Sequence, residues 1–154
     1  MDTVGNILAE VLLRRQLASG GWNYFGSEQS SVEATSLSIL ALGLDVVPAR
    51  RSGIAHLLVS QRSDGGWPAF SDDLEGSWTT ALVLCALNAT GEFSDEREKA
   101  ARWLIAEQGR EGHWLWRWKF KTADRDVRFD PDKYGWPWLT HTMAYATNMA
   151  YTSP

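Results

Sequence analysis

Three times along the chain one skeleton recurs: Gln, three residues, Gly, one residue, Trp. The copies are Gln16 to Trp22 with Gly20, Gln61 to Trp67 with Gly65, and Gln108 to Trp114 with Gly112. Their Trp residues lie 45 and then 47 positions apart. Each copy follows an apolar run of helical spacing and precedes, sooner or later, another such run, which is the signature of a helix-turn-helix repeat. The residue types suit a junction. A Gly just past a helix adopts the left-handed conformation that closes off its last carbonyls, while Gln and Trp supply an amide and a large flat apolar surface that can staple one helix end to the next.

The runs between the motifs sort into two kinds. Asp2 or Thr3 can cap a first helix reaching to about Ala18, with Val4, Ile7, Leu8, Val11 and Leu12 on one stripe. Pro48 suits the first turn of a third helix, which carries Ile54, Leu57 and Leu58 inward and Arg50, Arg51, Ser60 and Arg62 on its wet side. Ser94 opens a fifth, whose Asp95, Glu96 and Glu98 match the positive end of its dipole. The second helix, from Val32 to Leu42, and the fourth, from Ser77 to Leu87, are small and apolar on nearly all sides, which predicts burial on both faces. Alternating wet and enclosed helices predict two layers. The enclosed helices are expected near residues 32 to 43, 77 to 89 and 138 to 150, parallel to one another.

The third repeat departs from the other two. Thr35 and Thr80 each follow a motif Trp by 13 residues, whereas Thr140 follows Trp114 by 26. The insertion starts with apolar and charged residues in alternation, a pattern that permits a β-hairpin from Leu115 to Lys121 with a second strand from Val127 to Phe129. Trp136-Pro137-Trp138 then enters the sixth helix. Three helical pairs form one domain over residues 1 to 154 in an all-α fold.

Charge and cysteine usage exclude several classes. A net charge of −4 with no long Lys/Arg run gives no field for gathering nucleic acid. Cys85 is the sole cysteine, so no intrachain disulfide forms, and its apolar neighbours predict a buried, inert thiol in a reducing compartment. The first residues lack a basic region followed by an apolar stretch, and no uninterrupted apolar segment reaches about 18 residues. A cytoplasmic chain with peripheral membrane contact at most is expected.

The repeats resemble the Gln-Trp motifs of squalene-hopene and oxidosqualene cyclases, with a more distant likeness to protein prenyltransferase β subunits. The third copy matches the longer form of that motif, through Lys99-Ala100, Trp103-Leu104-Ile105 and Gln108 to Trp114. The second has Arg51-Ser52-Gly53 and Leu57-Leu58-Val59 upstream. The resemblance implies an α/α toroid, an inner ring of parallel helices within an outer ring, of which three pairs make a partial ring. It implies a terpene cyclase acting on a squalene-like isoprenoid chain in a central cavity, with no cofactor. Two alternatives stand beside it: a non-catalytic scaffold or hydrophobic-ligand-binding toroid, and a fragment of a larger cyclase.

The same resemblance puts the starts of the inner helices, Glu33 to Thr35, Trp78 to Thr80 and Leu139 to His141, at the rim of the cavity. Phe70, Trp78, Tyr134, Trp136 and Trp138 are the aromatics there. Their faces can stabilise a carbocation by about 1 to 2 kcal/mol each when desolvated, or they serve simply as packing. Asp72 and Asp73 form an acidic pair that could protonate an alkene if one carboxyl raised the pKa of the other. The cyclase acid motif is Asp-x-Asp-Asp, however, and Phe70-Ser71-Asp72-Asp73 lacks its first Asp, so a solvated turn accounts for the pair as well. His141 resembles the zinc-binding His of prenyltransferase β subunits, but Ser77-Trp78-Thr79 stands where those enzymes carry Asp-x-Cys, which disfavours a metal. Asp124, Asp126, Asp130 and Asp132 alternate with Arg125, Arg128 and Lys133 as in a salt-bridged surface loop. A partial ring leaves apolar surface open, so a homodimer or a partner chain that completes the toroid is expected.

Overall fold

The computed structural model describes residues 3–24, 27–43, 47–70, 72–107 and 114–122. They form six helices: α1 (Thr3–Arg14), α2 (Val32–Leu42), α3 (Val47–Val59), α4 (Thr79–Asn88), α5 (Ser94–Ala106) and α6 (Trp114–Thr122). The described residues are thus all-α and contain no strand; their β features are isolated bridge residues, with Ser31 paired antiparallel to Phe70 and Ser77 another such residue. The expected sixth-helix region, residues 138 to 150, lies outside them.

Helices α2 and α4, whose only charged residue is Glu33, pack side by side, with α3 against α2 and α5 against α4. Val32, at the start of α2, donates its N–H to the carbonyl of Ala69 in the loop that leads to α4, at 3.1 Å. At the far end Leu40 and Gly43 share a cleft with Ala86 and Ala89. The two helices therefore run in the same direction. Ser31 caps α2, its Oγ accepting from the Ala34 N–H, and Gly43 ends it with a φ of 60°. The acidic first turn of α5 lies where a helix dipole favours negative charge. Val83, Ala86 and Leu87 of α4, Ile39 and Leu42 of α2 and Leu57 of α3 make the centre of the core.

Four expectations change. First, α1 stops at Arg14, because the Leu17 N–H turns to the Gly21 carbonyl and draws the following residues into the motif loop. Its stripe is also split: Ala9 and Leu12 pack on the core, but Ile7 and Leu8 are 57% and 60% exposed and Val11 is exposed too. The hydrogen bond from the Trp22 indole to the Leu12 carbonyl fixes which face turns inward. Second, α2 and α4 are not enclosed on both sides. Leu37 and Leu40 are exposed, and so are Ala81 and Cys85. Neighbouring helices cover part of each circumference, and lack of charge does not by itself supply a further neighbour. Third, Cys85 is accordingly an exposed thiol. Fourth, residues 114 to 122 form a helix where a first β-strand was expected. Trp114, Leu115 and Trp118 fit helical spacing as well as alternation does, and a helix satisfies its backbone without a partner strand. The proposed second strand, Val127 to Phe129, lies outside the described residues.

Candidate functional site

The motif residues come first, because they set the position of everything else. Gly20 and Gly65 have φ of +89° and +98°, the left-handed conformation a side chain resists. A Cβ on Gly20 would lie 2.6 Å from the Ser52 carbonyl oxygen, and one on Gly65 2.6 Å from that of Lys99. Each motif loop is thus pressed against the next odd-numbered helix, and the amides fasten it there. Gln16 Nε2 donates to the carbonyls of Gly20 and Ala49, both at 2.8 Å. Gln61 Nε2 donates to those of Gly65 and Glu96, both at 3.2 Å.

The Trp residues join three helices at once. Trp22 and Trp67 are 2% and 0% exposed. Trp22 N–H donates to Thr35 Oγ1 at 2.9 Å and Trp67 N–H to Thr80 Oγ1 at 2.8 Å, tying each loop to the following even-numbered helix. Their indole N–H groups donate to the carbonyls of Leu12 and Leu57 on the preceding odd-numbered helix, at 2.8 and 2.7 Å. The Gln and Trp bonds of the two units therefore correspond one for one, and the second unit adds hydroxyl bonds from Ser77 and Thr79 to the Trp67 carbonyl. The third copy lies outside the described residues from Gln108 through Gly112. Its Trp114 opens α6 and is 67% exposed, a setting unlike that of Trp22 or Trp67.

Sequence reasoning missed three parts of this machinery. Arg50 and Arg97, 47 positions apart, each reach back to the end of the preceding helix: Arg50 Nη1 donates to the Gly43 carbonyl and Arg97 Nη1 to Asn88 Oδ1. The 47-residue spacing was visible, but an Arg on a wet helix face gave no reason to look there. Gly53 and Ala100 are also 47 apart and both buried, and a Cβ on Gly53 would stand 2.7 Å from Trp22 Cζ3, so a residue without a side chain forms the seat of that indole. Last, His56 and Trp103 occupy one repeat position. Trp103 lies against Gly66 and Gly76, while His56 lies against Gly21 and Ser30, with Ser30 Oγ and His56 Nε2 2.9 Å apart. That Ser–His pair is the polar counterpart of a Trp on two glycines, not a nucleophile and its base.

The loops that these contacts hold lead into α2 and α4 at one end of the molecule. Phe70 is exposed and Trp78 is half-buried just before α4. Asp73 Oδ2 accepts the Phe70 N–H at 3.0 Å, closing a turn, and Asp72 Oδ1 accepts from Gln29 of the neighbouring loop. Both carboxylates are exposed. Beside α2, burial and then a hydrogen bond from its hydroxyl to Glu33 push the Tyr24 pKa up to about 12. Of the expected rim residues, the structure brings Phe70, Asp72 and Asp73 together on one loop with Trp78 at its end. Tyr134, Trp136, Trp138 and His141 lie outside the described residues. Among those described, no three His, Cys, Asp or Glu side chains are grouped to hold a metal ion.

From this end the exposed side chains Leu37, Leu40, Ala81 and Cys85 run along α2 and α4, whose only charged residue is Glu33. At the opposite end a cleft of about 220 Å³ lies between Ile39, Leu40 and Ala86, and another of about 250 Å³ lies between Ile54, Leu58 and Phe93. Arg50 and Thr90 border both. No described helix is long and apolar enough to cross a membrane. No family model and no curated protein sequence matches the chain.

Proposed function

We propose that this chain is a hydrophobic-ligand-binding module on a partial α/α toroid, holding a squalene-like isoprenoid chain against the open face of α2 and α4. The observation that carries the reading is that face itself. Two side-by-side helices leave Leu37, Leu40, Ala81 and Cys85 in contact with solvent and offer no charge beyond Glu33 at one end. Exposed apolar side chains gathered on two neighbouring helices are the kind of surface that binding sites use. In this reading Phe70 and Trp78 flank the entrance, and a second copy or a partner chain supplies the opposite wall.

A terpene cyclase is the second reading, favoured by the aromatic entrance and by the resemblance of the motif to the cyclases. The carboxylates count against it. Asp72 and Asp73 are exposed and accept hydrogen bonds from Gln29 and the Phe70 N–H, which favour the carboxylate form, whereas a general acid for an alkene must still hold its proton when the substrate binds, the task of a buried or like-charge-flanked carboxyl. The test is titration of the intrinsic Trp fluorescence with farnesol and with squalene, followed by gas chromatography of the recovered lipid. Saturable binding with unchanged lipid, weakened at least tenfold by Leu37→Asp, is expected. Cyclised product would instead establish the enzyme, and binding indifferent to Leu37→Asp would remove the face from the site.

A further inference from the structure

We infer that the cleft between the first turns of α3 and the loop from α4 to α5 binds a small apolar carboxylic acid, its carboxylate on Arg50 and Arg51 and its hydrocarbon body along Ile54, Leu58 and Phe93. The site lies at the end of the molecule opposite Phe70 and Trp78, and it stands independently of the isoprenoid reading. Its first guanidinium has the fork of an anion site. Arg50 Nη1 donates to the Gly43 carbonyl at 3.1 Å, while Nε is buried with no partner and no described residue bonds Nη2. Nε and Nη2 form the edge with which an arginine grips a carboxylate through two parallel hydrogen bonds. A buried donor without a partner is costly, and a carboxylate at that edge relieves the cost.

Arg97 shows what is particular to this joint. It repeats the Arg50 arrangement on α5, with Nη1 bonded to Asn88 Oδ1 and Nε buried without a partner. The residue after it, however, is Glu98, which accepts from Arg102, whereas the residue after Arg50 is Arg51, exposed and without an ion pair among the described residues. The α3 joint thus gathers two cations where α5 has a cation and an anion.

The remaining lining sets the charge and size of the ligand. Glu92 is the one carboxylate on the rim, so two positive charges face one negative, which suits a monoanion and opposes a dianion such as a phosphate monoester. The Thr90 hydroxyl donates to the Leu87 carbonyl and accepts the Glu92 N–H, so it holds the loop and not the ligand. Phe93 has a left-handed backbone, φ 60° and ψ 51°, a conformation costly for a bulky residue and concentrated at ligand clamps. At about 250 Å³ the cleft falls just below the roughly 300 to 1,000 Å³ of sites for drug-sized molecules, so its ligand is a short one.

Isothermal titration calorimetry of the full chain with sodium octanoate, with octanol and with octyl phosphate tests this. Octanoate should bind saturably and at least tenfold more tightly than octanol, which shares its tail and lacks its charge. Arg51→Glu, at an exposed position, should weaken octanoate at least tenfold with an unchanged circular dichroism melt. Ala55→Trp, which fills the cleft from another exposed position, should do the same. Leu37→Asp on the α2 and α4 face should leave octanoate binding as it is. No saturation up to millimolar octanoate overturns the inference, and so does octanol binding as well as octanoate. Tighter binding of octyl phosphate would overturn the preference for a monoanion. Binding lost with Leu37→Asp but kept with Arg51→Glu would overturn the site by moving the acid to the isoprenoid face.

Discussion

Replacing Trp67 with Ala removes a side chain that is 0% exposed and whose indole N–H donates to the Leu57 carbonyl of α3, in a residue whose backbone N–H is tied to Thr80 of α4. Large-to-small core substitutions at Trp cost about 3 to 5 kcal/mol through lost transfer energy and the cavity left behind. The Trp67 N–H to Thr80 bond survives, since it belongs to the backbone. The Leu57 carbonyl loses the indole but still accepts from the Ser60 N–H, so it is not orphaned, and the lost bond adds only about 1 kcal/mol. A loss near 4 kcal/mol should lower the Tm by roughly 10 °C in a chain of this length. Trp22→Ala should behave alike, since its indole and its backbone N–H make the corresponding bonds to Leu12 and Thr35. Trp114→Ala, at an exposed position, should change stability by no more than about 0.5 kcal/mol. Urea unfolding followed by far-ultraviolet circular dichroism, which does not depend on the deleted indoles, compares the three. Equal losses for Trp67 and Trp114, or a loss below about 1 kcal/mol for Trp67, would refute the junction argument.

Gln61→Leu should cost about 1 to 2 kcal/mol, since the carbonyls of Gly65 and Glu96 lose a shared donor. Gln16→Leu, whose bonds are shorter, should cost at least as much in the same urea titration. His56→Trp alone should overpack Ser30 and Gly21 and destabilise by about 1 to 3 kcal/mol. Adding Ser30→Gly recreates the setting of Trp103, and a double-mutant cycle should return a favourable coupling of at least about 0.5 kcal/mol. Tyr24 has its pKa pushed up to about 12 by burial and then by Glu33, so the folded chain holds that proton more tightly than the unfolded one. Its contribution to stability is intact below about pH 10 and is lost as pH rises toward 12. Phenolate absorbance should show one tyrosine titrating late, and Glu33→Gln should bring it part of the way back.

How far the sequence reaches is clearest at the motif. In the first two copies each residue does in the fold what its chemistry suggests: the amide staples, the glycine turns left-handed, the indole fills a junction; Trp114 of the third copy is exposed instead. The helix starting at Val32 and the one starting at Ser94 were likewise legible, the first from its run of small and apolar residues and the second from its acidic first turn. Burial of whole faces was not. Ile7, Leu8, Leu37 and Cys85 look like core residues in one dimension, and whether a neighbour stands beside each is decided by helices far away in sequence. Residues 115 to 121 misled for another reason, since alternation over seven positions fits two periods. At the candidate site Asp72 and Asp73 were visible as an acidic pair, but the Gln29 side chain that engages one of them comes from a loop 43 positions earlier.

The Gln16 and Gln61 staples carry a consequence for how the chain comes apart. Each amide is rooted in one unit and spends a bond on a carbonyl of the next, at Ala49 or Glu96. No unit holds all its partners within itself, so its stability is set partly by its neighbour, as in one-dimensional arrays whose free energy is a sum of unit and nearest-neighbour terms. Melting α5 would leave Gln61 and Gly65 facing water and weaken the turn after α3. Opening should therefore travel along the chain as a front, and amide hydrogen exchange should report graded protection, highest in α2 and α3, which lie between the Gln16 and Gln61 staples.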